Sequence, residues 1–113
     1  MNPELEREVN QLHAEFCAGL ADPKRILILY ALSEGPRNVG DLAESLHLSQ
    51  PAVSRHLKVL RERGMVIATR FGPSVEYRIG DDRLIEALDL LRAALRDHLS
   101  HRAELAGAFL EER

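Results

Sequence analysis

Apolar residues recur at helical spacing along most of this chain, and the period changes once. Leu5, Val9, Leu12, Phe16 and Leu20 follow Asn2 and Pro3, a cap and a first-turn proline. A first helix is therefore expected over residues 3–19. Asp22 and Pro23 repeat that start signal ahead of Ile26, Leu27, Ile28, Leu29, Ala31 and Leu32. This segment is apolar nearly all round, which predicts a central helix stopped by Gly35 and Pro36. Asn38 caps a short third helix with an inner face of Val39, Leu42, Ala43 and Leu46. After a tight turn at His47 and Leu48, Ser49 and Pro51 open a fourth helix. Its buried stripe is Val53, Leu57 and Leu60, and Gly64 ends it.

Beyond Gly64 the period falls from 3.6 to 2. Ile67, Thr69 and Phe71 alternate with Ala68 and Arg70. After a Gly72-Pro73-Ser74 turn, Val75, Tyr77 and Ile79 alternate with Glu76 and Arg78. This reads as a two-stranded hairpin. Asp81 or Asp82 then caps a long last helix with Leu84, Leu88, Leu91, Leu95 and Leu99 along one side, widened by Ile85, Leu105 and Phe109. The fold class is mainly α with a small β-hairpin: a winged helix-turn-helix in a single domain over residues 1–113. The helix-turn-helix occupies residues 38–64, the wing 65–80 and the outer helices 3–19 and 82–110. A domain this small cannot bury both outer stripes within itself. They are expected to pack against a second copy in a two-fold homodimer, which sets two fourth helices about one DNA turn apart.

The fourth helix carries Gln50, Ser54, Arg55, Lys58 and Arg61 opposite its apolar stripe. Cationic and hydrogen-bonding side chains on one helix face suit phosphates and base edges. The net charge of −3 opposes that reading until it is divided by segment. Residues 1–36 hold three basic and six acidic side chains, residues 37–78 seven and four, and residues 79–113 five and eight. The middle third is thus +3 between two −3 flanks, and a local basic patch steers DNA. Tyr77 reads as a residue at the core edge of the wing, and Arg92 and Arg96 as a solvated face with Asp89.

No apolar run is long enough to span a bilayer, and the acidic N-terminus is no secretory signal. One cysteine excludes an internal disulfide framework and fits a reducing cytoplasm. No glycine-rich phosphate loop, HExxH or Gly-x-Ser-x-Gly is present, so no enzyme is expected.

The segments ADPKRILILYALSEG and VGDLAESLHLSQPAVSRHLKVLRERGMV, followed by a hairpin ending in YRI, resemble the ArsR/SmtB family of bacterial winged-helix repressors. The resemblance is close over about residues 16–79 and extends to the outer helices by pattern. It implies a cytoplasmic homodimeric repressor of its own operon that leaves a palindromic double-stranded DNA operator when an effector binds. It also implies DNA contacts from Ser49, Gln50, Ser54, Arg55, His56 and Lys58, and from the wing around Arg70 to Ser74. For His56 the alternative is packing against the wing.

Two metal sites of that family are broken here. The start of the third helix, Asn38 to Ala43, has no cysteine pair. The last-helix pattern is Asp-x-His, ten residues, then His-x-x-Glu or His-x-x-His. His101 and Glu104 fit its second half, which puts the first half on Leu88 and Leu90. Using His98 and His101 instead puts it on Ile85 and Ala87. Three effector readings stay open. His13 and Cys17, four apart on the first helix, could join His98 and His101, three apart on the last, around a zinc-like ion. Cys17 could act as a thiol redox sensor across a dimer. Or Cys17 is an inert core residue beside Phe16 and the histidines are solvated. No resident cofactor is otherwise expected. The rival to operator binding is a winged-helix protein-interaction module, which the overall acidity favours and the +3 middle segment opposes.

Overall fold

The structure, a computed structural model, describes residues 1–111, with side chains through residue 108. Its elements are α1 (Pro3–Leu12), a π-helical segment (His13–Cys17), α2 (Pro23–Ser33), α3 (Val39–Leu46), α4 (Gln50–Glu62), β1 (Val66–Phe71), β2 (Ser74–Ile79) and α5 (Arg83–Glu111). Residues 1–82 form one compact unit and α5 a second. The side chain of Phe109, expected on the α5 stripe, lies outside the described residues.

Four helix starts follow from their caps. Asn2, Asp22, Asn38 and Ser49 accept from the backbone N–H groups of Glu4, Lys24, Asp41 and Ala52 at 2.8, 2.9, 2.8 and 3.2 Å. Each thereby satisfies a donor that the first helical turn leaves without a partner. The first helix departs from expectation, because regular α geometry ends at Leu12 and a π segment carries the chain to Cys17. α2 is central, as its composition suggests: it packs against α3, α4 and β2 through the buried Ile28, Leu29 and Leu32, although Leu27 is exposed.

The core of the first unit is built where α2, α3, α4 and the hairpin meet. Ile28, Leu29, Leu42, Val53, Leu57, Leu60 and Met65 are fully buried there. Two left-handed residues direct α4 out of this core. His47 at φ 55° closes α3, with Leu48 N–H donating to Ala43 at 3.0 Å. Gly64 at φ 73° closes α4, with Met65 N–H donating to Leu60 at 2.9 Å. Both are Schellman-type stops, which return the chain sharply and satisfy terminal carbonyls.

β1 and β2 pair antiparallel from Val66↔Ile79 to Phe71↔Ser74, so the loop is Gly72-Pro73 alone and Ser74 belongs to the strand. Gly72 has φ 59°, the sign that tight hairpin turns require. This register puts Val66, Ala68 and Arg70 on one face with Val75, Tyr77 and Ile79. Ile67, Thr69 and Phe71 share the other with Ser74, Glu76 and Arg78. The bulkier apolar residues of β1 therefore lie on the more exposed face. A further rung was not visible in the periodicity. Arg37 and Tyr77 exchange backbone hydrogen bonds of 3.0 and 2.8 Å, which covers the outer edge of β2.

Two apolar stripes stay open. On α1, Leu5, Val9 and Leu12 are 47–50% exposed, and no residue of that helix is buried. On α5, Leu84 and Ile85 are half-buried and Leu88 is buried, but Leu91, Leu95 and Leu99 are 48–64% exposed. No described helix is long and apolar enough to cross a membrane.

Candidate nucleic-acid interface

The burial of Val53, Leu57 and Leu60 fixes which way α4 faces. These residues seat the helix on α2, α3 and β1, which leaves Gln50, Ser54, Arg55, Lys58 and Arg61 exposed on the outer side. Ser49 is exposed too, but its Oγ is engaged as the cap of α4 through Ala52. Its role in presenting the helix is therefore direct whatever else it touches. Replacing Ser49 by alanine is expected to lower stability by about 1 kcal/mol. Chemical denaturation reads this, and an unchanged midpoint would show that the cap contributes nothing.

His56 does not join the exposed set. Its side chain is 16% exposed, and Nε2 lies 4.0 Å from Oδ2 of Asp22, the N-cap of α2. It faces α2 rather than the outside or the wing. Helical spacing carries the signal for this. Residue 56 is three after Val53 and four before Leu60, both fully buried, so it flanks the inward stripe.

Of the seven cations between residues 37 and 78, two are held internally. Arg37 Nη2 pairs with Glu34 Oε2 at 2.8 Å. Arg63 donates from Nη1 to the backbone oxygens of Ala14 and Glu15, the latter at 3.3 Å. Arg55, Lys58 and Arg61 on α4, with Arg70 and Arg78 on the wing, remain exposed. Arg70 sits one pair from the hairpin tip, opposite Val75. Phe71, beside it, is 58% exposed.

The chemistry available on this surface is that of donors and fixed positive charge. Guanidinium groups can form bidentate bonds to phosphate or guanine and amide groups to adenine, while a hydroxyl makes single hydrogen bonds to base edges or phosphate. The protruding helix has the diameter of a DNA major groove.

Of the candidate effector residues, His13 and Cys17 belong to the first unit and His98 and His101 to the second. His13 and Cys17 are exposed in the π segment, so Cys17 is not the core residue that one reading made it. Its neighbour Phe16 is the half-buried one. His98 and His101 are exposed on α5. Among the described residues, no three His, Cys, Asp or Glu side chains converge in a way that could hold a metal ion. Asp89 and Arg92 form an exposed pair at 3.6 Å, as their spacing suggests.

A family model for "Bacterial regulatory protein, arsR family" matches residues 22–68, from the cap of α2 to the middle of β1. The chain is also 35% identical over 100 residues to the biofilm growth-associated repressor of Agrobacterium fabrum, covering 86% of this chain and 85% of that protein. The chain belongs to the ArsR family. The transcriptional repressor SmtB of Mycobacterium tuberculosis is 42% identical over 78 residues, 69% of this chain, and the chain spans 58% of that relative's length. Among solved structures, the homodimeric winged helix-turn-helix DNA-binding domain Mb0332 of Mycobacterium bovis superposes with a TM-score of 0.76 at 27% identity. The match covers 89% of this chain and 93% of that one. The ArsR-family match contains α2, α3 and α4 entire, and so the whole exposed face of α4.

Proposed function

We propose that this ArsR-family chain is a cytoplasmic transcriptional repressor that binds a palindromic DNA operator as a homodimer. The observation that carries the reading is the exposed row Gln50, Ser54, Arg55, Lys58 and Arg61 on a helix rigidly seated by three fully buried residues. In this reading Arg55 and Lys58 supply most of the charge contact, Gln50 and Ser54 lie nearer the bases, and Arg70 reaches the backbone or adjacent groove from the wing. The open stripes on α1 and α5 support pairing with a second copy, and the M. bovis relative is homodimeric. The A. fabrum and M. tuberculosis relatives are repressors, which supports repression as the outcome of binding.

Two copies present ten exposed cations from α4 and the wing, twice the five of one chain. If about six or more neutralise phosphates, affinity should fall roughly a thousandfold or more between about 50 and 200 mM salt. Fluorescence anisotropy on duplex DNA from the gene's own upstream region measures that slope. Tight, salt-steep binding supports the reading. No binding even at low salt removes it and favours the protein-interaction alternative.

A further inference from the structure

Arg63 has the position and charge of another DNA contact, but its guanidinium points elsewhere. It is the C-terminal cap residue of α4. Its Nη1 donates to the backbone oxygens of Ala14 and Glu15, both inside the π segment and nearly fifty residues away in sequence. These bonds tie the end of the DNA-facing helix to the N-terminal helical arm.

Three observations make this a built joint. First, carbonyl oxygens of the π segment already accept backbone hydrogen bonds, and at Glu15 Arg63 adds a second donor to an oxygen already in use. The N–H of Ala18 reaches Glu15 and His13, and that of Leu20 reaches Phe16 and Cys17. Second, a neighbouring arginine does the same work one turn on: Arg25 Nε donates to Gly19 at 2.6 Å and Nη2 to Ala18 at 3.2 Å. Third, the Arg63 stem lies directly on Gly19. A methyl group added there would come within 2.8 Å of Met65 Sδ and 3.1 Å of Arg63 Cδ, so one or both of these side chains would have to shift. Met65 is itself fully buried and cannot retreat to solvent.

The arm held in this way is the one whose Leu5, Val9 and Leu12 stripe is open. We propose that Arg63 is a positioning residue for operator binding. It contacts no DNA, but fixes α4 relative to the α1 stripe through which two copies pair, and so sets the spacing between the two DNA-facing helices. This rests on the operator-binding reading above. Both bonds leave one nitrogen, Nη1, so a lysine ammonium keeps the charge and the donor type but must reach the two carbonyls from a shorter stem.

The test compares wild type with Arg63→Met, Arg63→Lys and Gly19→Ala in the full chain. The Gly19 variant crowds both the Met65 side chain and the Arg63 stem without removing the charge, and circular dichroism and the oligomeric state separate a repacked core from a shifted arginine. Three duplexes are used: the wild-type binding site, a single half-site, and the full site with its half-sites moved apart by a few base pairs. Sedimentation velocity confirms the oligomeric state and circular dichroism the folding of each variant. Arg63→Met is expected to bind the half-site like wild type with an unchanged salt slope. On the full site it should lose on the order of tenfold and no longer prefer the native spacing. Gly19→Ala should behave the same way, with Arg63→Lys intermediate. Equal losses on half-site and full site with a shallower salt slope would make Arg63 a phosphate contact and overturn the inference. Unchanged binding on all three duplexes, or loss of the dimer itself, would also overturn it. Wild type that binds none of them would instead remove the operator-binding reading, and the inference with it.

Discussion

Truncating Leu57 to alanine is expected to destabilise the protein by about 2–5 kcal/mol. Leu57 is fully buried at the middle of the α4 stripe, between Val53 and Leu60. The elements around it, α2, α3 and β1, are the ones that hold α4 in place. Removing most of its side chain loses apolar burial and leaves a void that well-packed neighbours fill only in part. Total stability of a domain this size is about 5–15 kcal/mol, so the loss is a large share of it. Thermal and urea unfolding should both shift strongly, whereas Leu57→Met, which conserves volume, should cost less than about 1.5 kcal/mol. A Leu57→Ala loss below about 1 kcal/mol would mean that α4 is seated by something other than this stripe.

Arg55→Ala should act on binding and leave folding alone. Arg55 is exposed on the outer side of α4, away from Val53, Leu57 and Leu60. Its removal opens no cavity, so the melting temperature should hold. A bidentate contact to a base is worth about 1–3 kcal/mol of discrimination, or roughly five- to 150-fold. The expected loss falls on the specific site, with little change on scrambled DNA. An equal loss on both sequences, with a shallower salt slope, would show that Arg55 holds phosphate and reads no base.

How much of this could be read from the chain alone depended on the range of each interaction. The caps at Asn2, Asp22, Asn38 and Ser49 were legible because a cap is settled within three residues. The stripe of α4 and the hairpin were legible because burial imposes a period. The π segment was not, since Leu5 to Leu20 satisfy a helical pattern whether or not one turn is widened. The sequence places a turn at His47, but its left-handed backbone, which histidine adopts more readily than most non-glycine residues, leaves no periodic signal.

The surface chemistry divided along the same line. Gln50, Ser54, Arg55, Lys58 and Arg61 were placed outward by the 3.6-residue period, and they lie there. His56 was grouped with them on family wording, although the same period sets it beside the buried stripe. Arg37 and Arg63 counted toward the basic middle third, yet their partners are Glu34 and the distant carbonyls of Ala14 and Glu15. A charge count by segment cannot tell a free cation from one engaged at long range. Cysteine's usual burial suggests a core place for Cys17, and composition carries no signal of the exposed position it takes. Cys17 is exposed in the π segment, where Phe16 takes the half-buried position instead.

A hydroxyl-radical footprint of the wild-type protein on its own upstream DNA tests the central claim most directly. The account predicts two protected patches related by dyad symmetry, centred about one helical turn or a multiple of it apart, and lost on scrambled DNA. Uniform protection without a preferred sequence, or no protection at low salt, would contradict it.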